Sequence, residues 1–273
     1  MKTLVISDVH LKPSCEKGYY SFWKCVEQTT FDQLIILGDL FDTWIGDDAA
    51  QKQDIWLAEK LSTLKRRCKF IFGNRDFLVG SAFLDQACMD VLHDPLIRIE
   101  KWLVYFAHGD EWCTTDARYQ EFRKITRNSA WIGNFLNLSI HERKRKAKYF
   151  RDQSVSAQNK NVPTHFDVDK FIVKDLFERK KVDLIVHGHT HQPGIHICGS
   201  GCRLVNSDWD NNGSGVASII ETSLDKICVS LVHLSPLKPF QILDQVQKSF
   251  REDEWKRNIG SKRPINYSSK DTK

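Results

Sequence analysis

Early in the chain, short apolar runs rich in β-branched residues alternate with stretches in which apolar positions recur at helical spacing. Thr3–Ser7, Gln33–Leu37 and Cys68–Phe72 read as strands. Between them the spacing predicts a helix over 19–28 that buries Phe22, Trp23 and Val26, and a second over 51–66 that buries Ile55, Leu57, Leu61 and Leu64. That order is the grammar of βαβ units. Further strands are predicted over 97–99, 103–107 and 183–187, near Ile195, and over 216–221 and 227–232. The sum is an α/β (α+β) chain whose mixed sheet folds into two layers, a β-sandwich with helices outside. From 114 to 166 strand signals vanish and helical ones dominate, which predicts a helical cap over the C-terminal edge of the sheet. One catalytic domain over 1–240, carrying that insertion, is expected to end in a polar, lysine-rich and flexible tail over 241–273.

A length of 273 residues suits one sizeable core with an insertion. The net charge of +5 is modest and does not argue for nucleic acid. Much of the positive charge crowds into Arg143, Lys144, Arg145, Lys146, Lys148 and Arg151, which by themselves read as a solvated helix face. The N-terminal apolar run is too short for a signal segment and is interrupted at once by Asp8. No stretch has the apolar length of a membrane span, so a soluble or peripherally attached protein is expected. The cysteines are scattered and reduced thiols are the default; Cys198-Gly-Ser-Gly-Cys202 reads as a hairpin turn rather than half a zinc site.

The predicted strands end in polar clusters, which is where open α/β sheets place their sites. These are Asp8-Val9-His10, Gly38-Asp39-Leu40-Phe41-Asp42, Gly73-Asn74-Arg75-Asp76, His108-Gly109-Asp110 and Gly188-His189-Thr190-His191. Any one alone is unremarkable; their recurrence at strand ends is not. Carboxylate suits hard divalent cations and imidazole suits transition metals, so the mixture points to manganese, iron or zinc rather than magnesium alone. Two cations about 3.5–4 Å apart need a ligand that touches both. Asp39 is the expected bridge, with Asp8, His10 and His191 completing one site and Asn74, His108 and His189 the other. Glycines beside Asp39, Asn74, His108 and His189 let the chain turn so that these groups converge. His187 should point away from the metals, and His93, His141, His165, His196 and His233 belong to structure or solvent.

In this motif order the sequence resembles the calcineurin-like metallophosphoesterases, and one position departs: Arg75 stands where most members carry histidine after the asparagine. The string Gly73-Asn74-Arg75-Asp76-Phe77-Leu78-Val79-Gly80, with Trp44-Ile45-Gly46-Asp47-Asp48 and Cys113-Thr114-Thr115-Asp116-Ala117-Arg118-Tyr119, looks like the UDP-2,3-diacylglucosamine hydrolases of lipid A biosynthesis. The match runs from Met1 to about Leu234. Chemistry agrees with the departure. Histidine can protonate an alkoxide leaving group, whereas a guanidinium stays charged; a phosphoanhydride releases a phosphate monoester whose second pKa is about 6 and needs no proton.

The resemblance implies a metallophosphoesterase fold and two divalent ions, Mn²⁺. It implies two-metal hydroxide attack on the α-phosphorus of an acylated UDP-glucosamine, giving UMP and the acylated sugar 1-phosphate. It further implies a cytoplasmic protein attached peripherally to the inner membrane of a Gram-negative-type bacterium, with no nucleic acid partner; a monomer is expected. Asp39, Asn74, Arg75 and His108 would be catalytic. By family position, Asp116, Tyr119, Ser154 and His189 would contact substrate beside Asn74 and Arg75, as would Gln158 and Asn161, which stand where relatives carry asparagine and lysine. Asp42 and Asp76 either orient a ligand or Arg75, or cap turns. The stripe Trp131, Ile132, Phe135, Leu136 and Ile140 reads as core by spacing, while the resemblance assigns it to acyl chains and the basic run to lipid headgroups. A generic phosphodiesterase, nucleotide pyrophosphatase or nuclease is the alternative; a non-catalytic module on the same fold ranks last because every expected ligand position is filled.

Overall fold

The strand runs form the centre of two stacked sheets. The computed structural model describes residues 1–65, 67–158, 167–250 and 254–258, apart from the side chains of 153–158 and 239. In chain order the elements are β1 (Lys2–Ile6), α1 (Glu16–Gln28), β2 (Gln33–Ile36), α2 (Lys52–Ser62), β3 (Cys68–Phe70), α3 (Ser81–Gln86), β4 (Met89–Val91), β5 (Leu96–Ile99) and β6 (Trp102–Phe106). The cap follows as α4 (Ala117–Thr126), α5 (Ser129–Leu136) and α6 (Ile140–Gln158). Then come α7 (Lys170–Glu178), β7 (Leu184–His187), β8 (Gly194–Cys198), β9 (Gly201–Val205), β10 (Gly215–Thr222), β11 (Lys226–Ser235), β12 (Lys238–Ser249) and β13 (Lys256–Arg257).

The larger sheet has the order β13-β12-β11-β10-β1-β2-β3-β4 and the smaller β5-β6-β7-β9-β8. β1 to β4 run parallel, as do β6, β7 and β9, while the other pairings are antiparallel. Parallel strands covered on both faces should be apolar throughout, and the alternation splits cleanly. Leu4, Ile6, Leu34 and Ile36 pack towards α1 and α2, whereas Val5 and Ile35 meet Val104, Phe106, Leu184 and Val186 of the second sheet. Ile185 turns outward against Val173 and Leu176 of α7. The layers are therefore helix, sheet, sheet, helix. The expected two-layered α/β sandwich is the observed one.

Some expectations need correction. Ile55 lies exposed on α2, which ends at Ser62, so the inward face is made by Leu57, Ala58 and Leu61. The tail expected from 241 is replaced through Ser249 by β12, paired with β11 along most of its length, and by β13. Val246 and Trp255 enter the core between the sheets. Buried Asp244 accepts from Arg257, and buried Lys248 donates to the Ser200 carbonyl at 3.0 Å and reaches Asp183 at 3.3 Å. A strand whose inward positions are Asp244, Val246 and Lys248 carries no apolar alternation, so nothing in its pattern marks it. Cys198 pairs with Gly201 across the β8–β9 hairpin, in keeping with the turn reading. Among the described residues no helix is long and apolar enough to cross a membrane.

Candidate metal centre

β1, β2, β3, β6 and β7 end on one edge of the sandwich, and the loops that leave them carry the polar clusters. Backbone bonds lace those loops together: His10 N donates to Asp39 O at 2.9 Å, Asp8 N to Gly38 O at 3.1 Å and Gly188 N to His108 O at 3.0 Å. Asp8, His10, Asp39, His189 and His191 all have positive φ, between 52° and 64°. Non-glycine residues rarely adopt this region, and such strain is kept where function demands a particular side-chain direction. The loops also approach so closely that a Cβ on Gly73 would lie 2.2 Å from Asp39 Oδ1 and 2.3 Å from its amide nitrogen. Only glycine fits there.

Asp8, His10 and His191 bring ligand atoms within 4.8 Å of one another, and so do Asp8, Asp39 and His108. The oxygens of Asp39 face both halves: Oδ2 is 3.9 Å from His10 Nδ1 and Oδ1 is 3.7 Å from His108 Nε2. His191 Nε2 lies 3.3 Å from Asp8 Oδ1. Asn74 Oδ1 sits 2.8 Å from His108 Nε2 and 2.9 Å from His189 Nδ1. Every residue expected to hold metal is thus at one place.

The hydrogen-bond roles test whether cations fit. His108 Nδ1 lies 2.8 Å from the Leu37 carbonyl, so Nδ1 is the donor and the neutral ring turns the Nε2 lone pair towards Asn74 Oδ1, itself an acceptor. Facing lone pairs need a proton or a cation between them. Burial works against charging His108, yet the carboxylates of Asp39 and Asp8 push its pKa up to about 9. Burial, with Asp8 adding to it, pushes Asp39 above the ordinary carboxylate range. Burial lowers His10 and His189 to about 3, leaving neutral rings, and His10 Nδ1 is buried without a hydrogen-bond partner among the described residues. Imidazoles of which His10 and His189 are neutral, two buried carboxylates and a carboxamide oxygen converging in this way fit a pair of borderline-hard divalent cations, which would take the place of the proton on His108.

Arg75 lies over this cluster, its Nε 3.6 Å from Asp39 Oδ2 and its backbone N–H donating to Asp39 Oδ1 at 2.8 Å. Asp42 is 3.8 Å from the Arg75 guanidinium and is gripped by both terminal nitrogens of Arg151, each at 2.5 Å. It orients Arg75. Asp76 does not; its carboxylate accepts from the amides of Leu40 at 2.7 Å and Gly73 at 2.9 Å, tying one loop to the next. His187 points away as expected, bonded to the Gly188 carbonyl and edge-on to Trp112.

The chain's sequence relationships agree with this geometry. Residues 1–193 match the family model described as calcineurin-like phosphoesterase. The chain belongs to the calcineurin-like phosphoesterase family. Among curated relatives, a protein of Hamiltonella defensa named UDP-2,3-diacylglucosamine hydrolase is 39% identical over 245 residues, covering 83% of this chain and 94% of that one. Proteins of the same name from Aromatoleum aromaticum and Yersinia enterocolitica are each 35% identical, covering 78% and 83% of this chain and 91% and 97% of theirs. Among solved structures, vacuolar protein sorting 29 from Cryptosporidium parvum has a TM-score of 0.48 at 11% identity and covers 91% of this chain and 97% of that one, a likeness too distant to carry an assignment.

In this calcineurin-like phosphoesterase the cap residues are placed less uniformly. Asp116 caps α4, accepting from Tyr119 N at 3.0 Å. Tyr119 lays its ring 5.8 Å from that of His189, but its hydroxyl is committed to buried Asp110. Ser154 and Gln158 lie on α6 with side chains outside the described residues, and Asn161 falls outside them altogether. Phe135 is core, and Trp131 and Ile132 pack beside it, whereas Leu136 and Ile140 are exposed. Missing from the sequence reading are the arginines that fasten the cap. Arg123 Nε donates to Asp110 at 2.9 Å. Buried Arg143 donates to the Ile45 carbonyl at 2.6 Å and forks onto Asp48. Arg143 and Arg151, eight positions apart on one helix, share a face, and arginine rather than lysine at both was the available signal.

Proposed function

We propose that the protein hydrolyses the pyrophosphate bond of UDP-2,3-diacylglucosamine to UMP and 2,3-diacylglucosamine 1-phosphate, with two divalent cations, Mn²⁺ by preference, held by Asp8, His10, Asp39, Asn74, His108, His189 and His191. The observation that carries this reading is the placement of Arg75 above Asp39, at the mouth of a cluster otherwise built from imidazoles, carboxylates and Asn74. Bound there, the cations would lower the pKa of a water and offset phosphoryl charge.

Arg75 then faces the phosphoryl oxygens and stabilises the charge that develops on them, held at a fixed angle by Asp42 and Asp39. It cannot supply a proton, and the departing sugar phosphate needs none. Half-buried Phe77, Phe122, Trp131 and Phe150 form a chain of ring contacts between the Arg75 loop and the cap, from 5.2 to 6.4 Å apart, and offer acyl chains an apolar surface next to the anhydride. On the outer side of α6, Lys144, Arg145, Lys146 and Lys148 are exposed, and we assign them to anionic headgroups of the cytoplasmic leaflet of an inner membrane.

The test compares turnover of UDP-2,3-diacylglucosamine, its deacylated analogue and a model phosphodiester, with and without Mn²⁺. The acylated anhydride should be strongly preferred and dependent on the metal. Fast cleavage of the diester with none of the lipid would instead make the protein a generic phosphodiesterase.

A further inference from the structure

Arg127 closes the C-terminal end of α4 and reaches out of the cap to the loop that leaves β3. One terminal nitrogen donates to the Gly73 carbonyl at 2.8 Å, and the guanidinium lies over the Phe77 ring with its carbon 3.7 Å from the centroid. These contacts fall on the two ends of the segment 73–77, which carries Asn74 and Arg75 between them. The inner side of the same segment is held by the catalytic domain: Asp76 accepts from Leu40 N at 2.7 Å, the Arg75 carbonyl accepts from Trp44 N at 2.9 Å, and Arg75 N donates to Asp39 at 2.8 Å. Among the described residues no carboxylate lies within ion-pair distance of Arg127, so its charge is spent on a carbonyl and a ring. A planar cation can serve both at once; an ammonium cannot stack and fork in that way.

We infer that Arg127 is a positioning residue, contributed by the cap, which clamps the Gly73–Phe77 loop and thereby fixes where the Arg75 guanidinium and the Asn74 carboxamide point. The inference rests on the proposed reaction only for what Arg75 does in it. Without Arg127 the loop is held on its inner side alone, and its amides open more often. The cap then does more than cover the substrate: its seating sets the geometry of the centre beneath it.

Hydrogen exchange of the full chain, resolved to the peptide containing 73–77, should run about tenfold faster in Arg127→Gln than in the wild type, with exchange in β1 and β2 unchanged. On the substrate that the wild type turns over, Arg127→Gln should lower kcat about tenfold while KM stays within about threefold. Combined with Arg75→Ala it should lower kcat further by clearly less than the tenfold it costs alone, because part of its effect passes through Arg75 and only the part through Asn74 remains. Arg127→Lys should recover little. Unchanged exchange at 73–77, additive losses in the double variant, or full recovery by lysine would each overturn the inference. A wild type that ignores UDP-2,3-diacylglucosamine would overturn the proposed function instead, leaving the exchange measurement to decide the clamp by itself.

Discussion

The metal end of the sandwich and the cap above it are built by opposite means. At the metal end, short loops fix each side chain through the backbone: left-handed residues, a glycine at position 73 where a Cβ would lie 2.2 Å from Asp39, and amide bonds between neighbouring loops. In the cap, helices are fastened by long side chains, with Arg123 on Asp110, Arg127 on Gly73 and Phe77, Arg143 on Asp48 and Arg151 on Asp42. Backbone placement leaves a ligand little room to move, which suits a cation pair that tolerates small errors in distance badly. Side-chain fastening leaves a seam, which suits a lid that must admit a substrate.

Damage at the metal end should destroy chemistry and spare the fold, and damage at the parts of the seam that do not touch the Gly73–Phe77 loop or Arg75 should do the reverse. The largest effect is expected from Asp39→Ala, which should lower turnover by about a thousandfold while circular dichroism and the melting temperature change little; chelation should have the same effect on the wild type and be reversed by Mn²⁺. Arg75→Ala should lower kcat about a hundredfold with metal content, measured by mass spectrometry, retained. Equal loss of metal would mean that Arg75 builds the centre rather than serving the phosphoryl group. At the seam, Asp48→Ala leaves Arg143 without its exposed carboxylate, and should cost about 1 kcal/mol in denaturant unfolding with kcat reduced by less than about threefold. A kcat that falls with stability would show that the two regions are one. Smallest of all in its effect on turnover, Lys144→Glu combined with Lys148→Glu should weaken binding to anionic vesicles about tenfold or more, since each surface cation contributes about 1 kcal/mol, with turnover of detergent-dispersed substrate unchanged. Unaltered vesicle binding would remove α6 as the membrane-facing surface.

The same contrast separates what was readable from what was not. The centre was legible because each ligand sits within a few residues of an apolar strand end, so local strings carry it: Asp8-Val9-His10 after β1, Gly188-His189-Thr190-His191 after β7. The left-handed conformation of Asp8, His10 and Asp39 was not, because nothing in the residue type requires it. The basic run of α6 read as a solvated face, yet Arg143 and Arg151 turn inward to acids 95 and 109 positions earlier. β12 escaped because its buried positions include Asp244 and Lys248, whose partners Arg257 and Asp183 make burial tolerable.

By itself, the sequence determined the two-layered sandwich and the residue types gathered at its strand ends, since apolar alternation and strand-end loops are local properties. Tertiary structure alone decided how Asp39 faces both halves of the centre, which carboxylate steadies Arg75, and how arginines seat the cap. Those outcomes depend on pairings between distant segments, where one guanidinium can meet any of several carboxylates and only the folded geometry selects the partner.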